Sequence, residues 1–182
     1  MASGDREAER ALDAYLIASA RIGDAKAFAL LFKRWNPRLT SHAWRLLGDR
    51  EAAGDAVQEA WAEIVRGLGR LADLSAFPAW AYRIVSRRCA KTIGRNVRER
   101  KAADALAAEP EESGDAPAAD TLRLRQAIDA LPPDQRAAIA LFYLEDMSVA
   151  QVAVALAVPA GTVKTRLMHA RHKLRAALEG VE

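Results

Sequence analysis

Apolar residues recur every three or four positions along most of this 182-residue chain, and this spacing is the main constraint on its fold. It is typical of amphipathic helices, in which residues three and four apart share one face. No segment alternates apolar and polar residues convincingly with the two-residue period of a half-buried strand. Glycine and proline, which interrupt helices, number only 10 and 7. The sequence therefore predicts an all-α protein.

Composition divides the chain into two helical parts. Residues 102–119 contain five acidic residues, no basic residue and no aromatic residue. Such a segment cannot bury enough apolar surface to fold alone, so we expect a flexible acidic linker at residues 101–119. The prediction is two small helical domains, at residues 12–100 and 120–182, joined by that linker.

Three helical patterns occupy the first part. The apolar stripes of the first two are Phe28, Leu31, Phe32, Trp35 and Leu39, and then Val57, Trp61, Ile64 and Leu68. A third helix is predicted from about Ala79 to Val97, with Ala81, Val85, Cys89 and Ile93 towards the core. Cys89 is the single cysteine, so no internal disulfide forms, and we expect it to be a small buried apolar residue.

The second part contains a helix-turn-helix pattern. A short helix, Val149–Leu156, follows Ser148 as N-cap, and the turn "AVPAGT" leads to the helix "GTVKTRLMHARHKLR". That helix has five Lys or Arg residues and no acid, whereas the whole chain has 27 basic and 24 acidic residues. In a helix-turn-helix the second helix enters the DNA major groove. The candidate contacts are Thr162, Lys164, Thr165, Arg166, Met168, His169, Arg171 and Lys173. A plain helical hairpin with a solvated basic face is the alternative.

Two further surfaces are candidates for binding. On the 79–97 helix, a tryptophan lies within a row of cations, a combination that suits unpaired bases because rings stack and cations follow the backbone. The candidates there are Phe77, Trp80, Arg83, Arg87 and Lys91, although Trp80 alone is also compatible with a core position. The helix before it directs Asp55, Gln58, Glu59 and Glu63 away from its apolar stripe. These four are either solvated or a contact for a basic partner helix.

Motifs of enzymes and metal sites are missing. The sequence has no glycine-rich phosphate loop, no G-x-S-x-G, no H-E-x-x-H and no paired cysteines, so we expect no catalytic residues, no cofactor and no metal. No apolar run approaches the length of a membrane span, and the acidic amino terminus does not resemble a signal peptide. We therefore expect a cytoplasmic protein that is not an enzyme and does not insert into membranes.

Three segments in order resemble the extracytoplasmic-function (ECF) sigma factors of bacterial RNA polymerase. "GDREAAGDAVQEAWAEI" is similar to the family's polymerase-binding segment, and "SAFPAWAYRIVSRRCAKTIGR" to its segment for opening and reading the -10 element. "LPPDQRAAIALFYLEDMSVAQVAVALAVPAGTVKTRLMHARHKLR" is similar to its -35 domain. The resemblance implies polymerase contacts at Asp55, Gln58, Glu59 and Trp61, and -35 contacts at Lys164, Thr165, Arg166, Met168 and His169.

The resemblance also implies partners and departures from the family pattern. It implies binding to core RNA polymerase, to promoter DNA and to an anti-sigma factor. The family often has Asn and Asp where this chain has Arg87 and Lys91, and we expect this more cationic face to strengthen nonspecific strand binding. Asp146 replaces a common Gly, and His169 a frequent Arg. The alternatives are a helix-turn-helix transcription regulator and a sigma mimic that sequesters an anti-sigma factor.

Overall fold

The computed structural model describes residues 2–102 and 119–179, with side chains for 7–96 and 123–178. The first part contains α1 (Ala2–Arg21), α2 (Ala25–Leu47), α3 (Arg50–Leu68), a 3₁₀ turn (Leu74–Ala76) and α4 (Phe77–Ala102). The second contains α5 (Ala119–Asp129), α6 (Pro133–Ile139), a π-helical turn (Ala140–Leu144), α7 (Val149–Leu156) and α8 (Ala160–Glu179). These two ranges contain no strand, so the all-helical prediction is confirmed. Most of the predicted linker lies outside the described residues.

Short polar side chains begin several of these helices. Asp24 accepts hydrogen bonds from the backbone N–H groups at the start of α2, and Asp49 accepts one at the start of α3. Ser148 and Gln151 form a reciprocal capping box at α7, so the predicted N-cap is confirmed. α2 ends at Leu47 and is followed by Gly48, whose φ of 71° suits a residue without a side chain.

The predicted apolar stripes of the first part form most of its core. Leu31, Trp35 and Leu39 of α2 are buried, although Phe28 is half-buried and Phe32 is exposed. The four stripe residues of α3 are all buried, as are Ala81, Val85 and Cys89 of α4, whereas Ile93 is exposed. Burial raises the pKa of the Cys89 thiol to about 12, so this cysteine is neutral and unreactive at physiological pH.

The sequence patterns missed α1. Leu16 and Ile17 on this helix are buried in the core, and Arg34 of α2 donates to Asp13 at 2.9 Å. The alanine-rich segment has only two large apolar residues on its buried face, so its stripe is short. The first part therefore contains four α-helices, one more than the sequence predicted.

His42 is a buried polar residue between α2 and α4. Its Nε2 lies 2.9 Å from Ser86 Oγ, and its ring lies edge-on to Tyr82. Complete burial, with a smaller effect of the Arg45 charge, lowers the pKa of His42 from 6.5 to about 3. The imidazole is therefore neutral in the folded chain at neutral pH.

The two parts of the chain are in contact. α7 packs against α4 and α6 packs against α2, and their buried side chains belong to one continuous apolar core. Polar contacts cross the same boundary: Arg136 Nη2 donates to the Arg45 carbonyl at 3.2 Å, and Glu145 lies 3.9 Å from Arg38 Nε. The division at residues 101–119 stays a prediction, and in this structure the two parts form one compact arrangement.

Candidate nucleic-acid interface

The turn before α8 directs that helix outward from the second part. Ala157 adopts a φ of 54°, which ends α7 and reverses the chain towards α8. Val163, Leu167 and Ala170 are buried, Leu174 is half-buried and Leu178 is exposed. The predicted stripe therefore holds α8 in place over its first three turns, and the last turns extend beyond the core.

Most candidate -35 residues share the outward side of α8. The exposed members are Lys164, Thr165, Met168, His169, Arg171 and Lys173, and Thr162 is half-buried. Thr165 Oγ1 donates to the Gly161 carbonyl at 3.1 Å, which bends the hydroxyl back towards the helix start. Cations and adaptable polar groups on one helix face can contact phosphates and base edges.

Two of the α8 arginines are held by other elements. Arg166 Nε lies 3.1 Å from Asp134 Oδ2 at the start of α6, and its side chain is only 24% exposed. Arg171 Nε donates to the Tyr143 hydroxyl at 2.8 Å, and its guanidinium lies over the rings of Phe142 and Tyr143. The basic segment is free of acids in sequence, but folding brings an acid to Arg166.

The prediction for Phe77 requires a correction. Its side chain is 0% exposed, and its ring packs edge-on against Trp35 with centroids 5.2 Å apart. A ring enclosed on all sides cannot stack on a base, so the predicted strand contact at Phe77 is wrong for this structure. Phe77 is instead the core residue that anchors the start of α4.

Trp80 is half-buried and borders a cavity. Its ring packs against α3 at Gly67, where a Cβ would lie 2.8 Å from Trp80 Cζ2. The adjoining cavity has a volume of about 410 Å³. Its lining consists of Glu63, Arg66, Gly67, Arg70, Leu71, Ala72 and Trp80. The sequence patterns did not indicate this cavity, because the loop 69–73 and the end of α3 supply most of its wall.

The cations of α4 meet acids of α3. Arg83, Arg87 and Lys91 are exposed, but Arg87 donates to Glu63. Arg88, which was not among the candidates, donates to Glu59 at 2.9 Å and to Glu63 at 2.8 Å. Hydrogen bonds from Arg87 and Arg88 lower the pKa of Glu63, the bond from Arg87 having the larger effect. The α3–α4 boundary is therefore an ion-pair cluster.

The candidate polymerase surface lies on α3. Asp55, Gln58 and Glu59 are all exposed, as the spacing predicted. Trp61 is buried: its Nε1 donates to Asn36 Oδ1 at 3.1 Å, and its ring centroid lies 4.9 Å from that of Phe32. Phe32, and Val65 one turn after Trp61, are exposed and add apolar area next to the polar residues. Phe32 belongs to the predicted core stripe of α2, and only the folded structure shows that its side chain is exposed.

Metal-binding clusters and membrane-spanning helices are absent from the part of the chain that the structure describes. Between residues 2 and 102 and between 119 and 179, no group of three or more His, Cys, Asp or Glu side chains is arranged to hold a metal ion. Within the same ranges, no helix has the length and hydropathy needed to span a membrane.

Known proteins resemble both parts of the chain. Residues 31–99 match the family described as Sigma-70 region 2, and residues 121–174 match Sigma-70, region 4. The ECF RNA polymerase sigma factor SigM of Mycobacterium tuberculosis is 32% identical, over 89% of this chain and 82% of SigM. The ECF RNA polymerase sigma-E factor of Escherichia coli is 31% identical, over 91% of this chain and 94% of the sigma-E chain.

Solved structures resemble most of the chain. CnrH, in complex with the cytosolic domain of CnrY, has 25% identity and a TM-score of 0.62, covering 94% of this chain and 99% of that chain. The sigma factor RpoE in complex with the anti-sigma factor NepR, from Bartonella quintana, has 23% identity and a TM-score of 0.65, covering 87% of this chain and all of that chain. The second likeness concerns the fold alone. With sequence relatives above 30% identity over about nine-tenths of its length, the chain belongs to the ECF family of RNA polymerase sigma factors.

Proposed function

We propose that this sigma factor directs core RNA polymerase to promoters by contacting the -35 element with α8 and the -10 element with α4. The observation that carries the proposal is the presence of two separate cationic faces, on α8 and on α4, in a chain of this family. Its action is recognition and strand separation, with no covalent chemistry. A regulator of the helix-turn-helix kind leaves the first part unexplained, and a mimic needs no basic α8.

The -35 contact has two kinds of residue. Lys173 is exposed and suits a phosphate. Arg166 can contact a base edge only after its ion pair with Asp134 breaks. In holoenzyme, Lys173→Ala should weaken transcription on all promoters alike and lower the salt slope by about one counterion. Arg166→Ala should cost on the order of 1–3 kcal/mol and relax preference at one position.

Run-off transcription on a promoter carrying every single-base change in the -35 element separates these outcomes. A uniform loss for Arg166→Ala, with no position relaxed, would reduce Arg166 to a phosphate contact. No loss from either variant would remove the promoter role of α8. Arg21→Ala, an exposed cation at the end of α1, is the matched control for loss of one positive charge.

The -10 contact centres on Trp80 and the cations around it. The cavity beside Trp80 offers a half-buried ring and two arginines, Arg66 and Arg70, to an unpaired base and its phosphate. Arg83 and Lys91 are exposed on the same helix and suit the strand backbone. Arg83→Ala and Lys91→Ala should each reduce open-complex formation, measured as permanganate reactivity of promoter thymines. Unchanged reactivity in both variants would exclude α4 from strand binding.

Core polymerase is proposed to bind the exposed side of α3, with Phe32 and Val65 at its margin. Glu59→Arg is an informative reversal but also breaks the Arg88 ion pair, so Asp55→Arg is the cleaner variant. Both should lower co-purification with core polymerase several-fold, since like charges meet at a packed interface. Normal co-purification of folded Asp55→Arg would contradict this surface. We also propose an anti-sigma partner, as the membership of the ECF family implies; CnrH, at 25% identity, is likewise in complex with a protein, the cytosolic domain of CnrY.

A further inference from the structure

The ion-pair cluster between α3 and α4 puts a carboxylate against the proposed strand-binding surface. Glu63 accepts hydrogen bonds from Arg87 and Arg88, and Glu59 accepts a second bond from Arg88. These pairs join residues on different helices, so they form only when α3 and α4 pack together. The extra cation that the sequence places on α4 is therefore matched by an acid.

The two arginines differ in what they can do. Arg88 is 23% exposed and is held by two carboxylates, so it joins α3 to α4. Arg87 is 63% exposed and is paired with Glu63, whose own side chain is 27% exposed. An exposed ion pair is weak and exchanges readily with another anion, whereas a partly buried arginine with two partners does not. Arg87 is thus the member of the cluster able to change partner.

We propose that Glu63 is a positioning residue that competes with DNA phosphate for Arg87, and so limits strand binding by the free sigma factor. In the free chain Glu63 neutralises Arg87 and holds its guanidinium against α3. When a strand lies along α4, a phosphate replaces Glu63 as the partner of Arg87. The inference rests on the proposed role of α4. It also changes the expectation from sequence, because Arg87 adds no uncompensated charge to α4.

Binding of the free chain to a fluorescein-labelled oligothymidylate, followed by anisotropy over a series of salt concentrations, tests the inference. Glu63→Gln is nearly isosteric and should tighten binding by up to about fivefold at low salt. The slope of the logarithmic salt dependence should change by less than about 0.7, the value for one phosphate contact on a single strand, because Arg87 reaches the phosphate in the bound parent chain as well. Glu7→Gln removes the same charge from an exposed position on α1 and should change neither quantity.

Arg87 provides the second arm. Arg87→Ala alone should leave the affinity within about twofold of the parent chain, since its charge is already neutralised. In the Arg87→Ala background, Glu63→Gln should lose most of its tightening. The inference is overturned if Glu63→Gln does not tighten binding, if Glu7→Gln tightens it equally, or if the effect persists without Arg87. A large loss from Arg87→Ala alone also overturns it.

Failure of the proposed function has a different signature. If Arg83→Ala and Lys91→Ala leave open-complex formation by holoenzyme unchanged, the role of α4 itself is wrong. If those variants impair opening while Glu63→Gln leaves oligothymidylate binding by the free chain unchanged, only the competition by Glu63 is wrong.

Discussion

Gly67 and Gly54 form a matched pair for testing how Trp80 is held. Both lie on α3, but an alanine Cβ at 54 meets nothing within 4 Å, whereas at 67 it lies 2.8 Å from Trp80 Cζ2 and 3.2 Å from Cη2. Carbon atoms attract best at ~3.5–4.0 Å, so both contacts of a Cβ at position 67 are repulsive. Only the position of the indole ring distinguishes the two substitutions in this respect.

The expected energies follow from two opposing effects. Replacing a helical glycine by alanine stabilises a helix by up to about 1 kcal/mol, and this applies fully to Gly54 in the second turn of α3. Gly67 lies in the last turn, where the gain is smaller, and overpacking costs about 1–3 kcal/mol. Gly54→Ala should therefore raise the melting temperature by about 2–4 °C. Gly67→Ala should leave it unchanged or lower it.

Thermal unfolding of the free chain, with tryptophan emission as a second readout, measures both effects. If the indole swings away to relieve the contact, Gly67→Ala keeps its stability but Trp80 enters water and the emission shifts to longer wavelength. The same shift should be absent in Gly67→Ala combined with Trp80→Phe, which assigns the signal. Equal stabilisation by both alanines, with unchanged emission, would refute the placement of Trp80 against α3.

Three other predictions concern the interior and the boundary between the two parts. His42 has a folded pKa of about 3 against 6.5 when unfolded, so the unfolded chain binds more protons between these values. The stabilising contribution of neutral His42 is complete above pH 6.5, and the free energy of unfolding should fall by up to about 1.4 kcal/mol per pH unit below that value. Urea titrations of His42→Gln at several pH values should show a free energy of unfolding that lacks much of this pH dependence. Glu145 is only 16% exposed beside Arg38, so Glu145→Gln should cost on the order of 1–2 kcal/mol and increase the radius of gyration in solution scattering. Unchanged scattering would show that this contact does not hold the parts together. Tyr143→Phe keeps the ring beside Arg171 but removes the hydrogen bond, and should weaken -35 promoter binding by about twofold, an effect that Tyr143→Leu should exceed if ring stacking matters.

Much of the fold could be predicted because the relevant signals are local. The stripe of α3, the Ser148 cap and the bounds of α7 depend on residues within a few positions of one another, since helical hydrogen bonds and helix faces repeat every turn. The outward direction of Asp55 and Lys164 follows from the same geometry. α1 was missed because its buried face carries few large apolar residues.

Local spacing cannot reveal which side chains meet across helices. Phe77 and Trp80 both adjoin the cationic face in sequence, yet only packing against Trp35 determines that Phe77 is enclosed and Trp80 is half-exposed. The contact of α7 with α4 likewise depends on how whole helices pack, so no pattern in the sequence predicted it.

The sequence by itself determined that the chain is helical, that α8 is basic on its outer side and that three segments resemble those of a sigma factor. Only the tertiary structure decided which of those charges are available. Arg87 is neutralised by Glu63, 24 positions earlier, and Arg166 by Asp134 on another helix. The physical reason is that a charge is compensated by proximity in space, and helices bring together side chains that lie many turns apart along the chain.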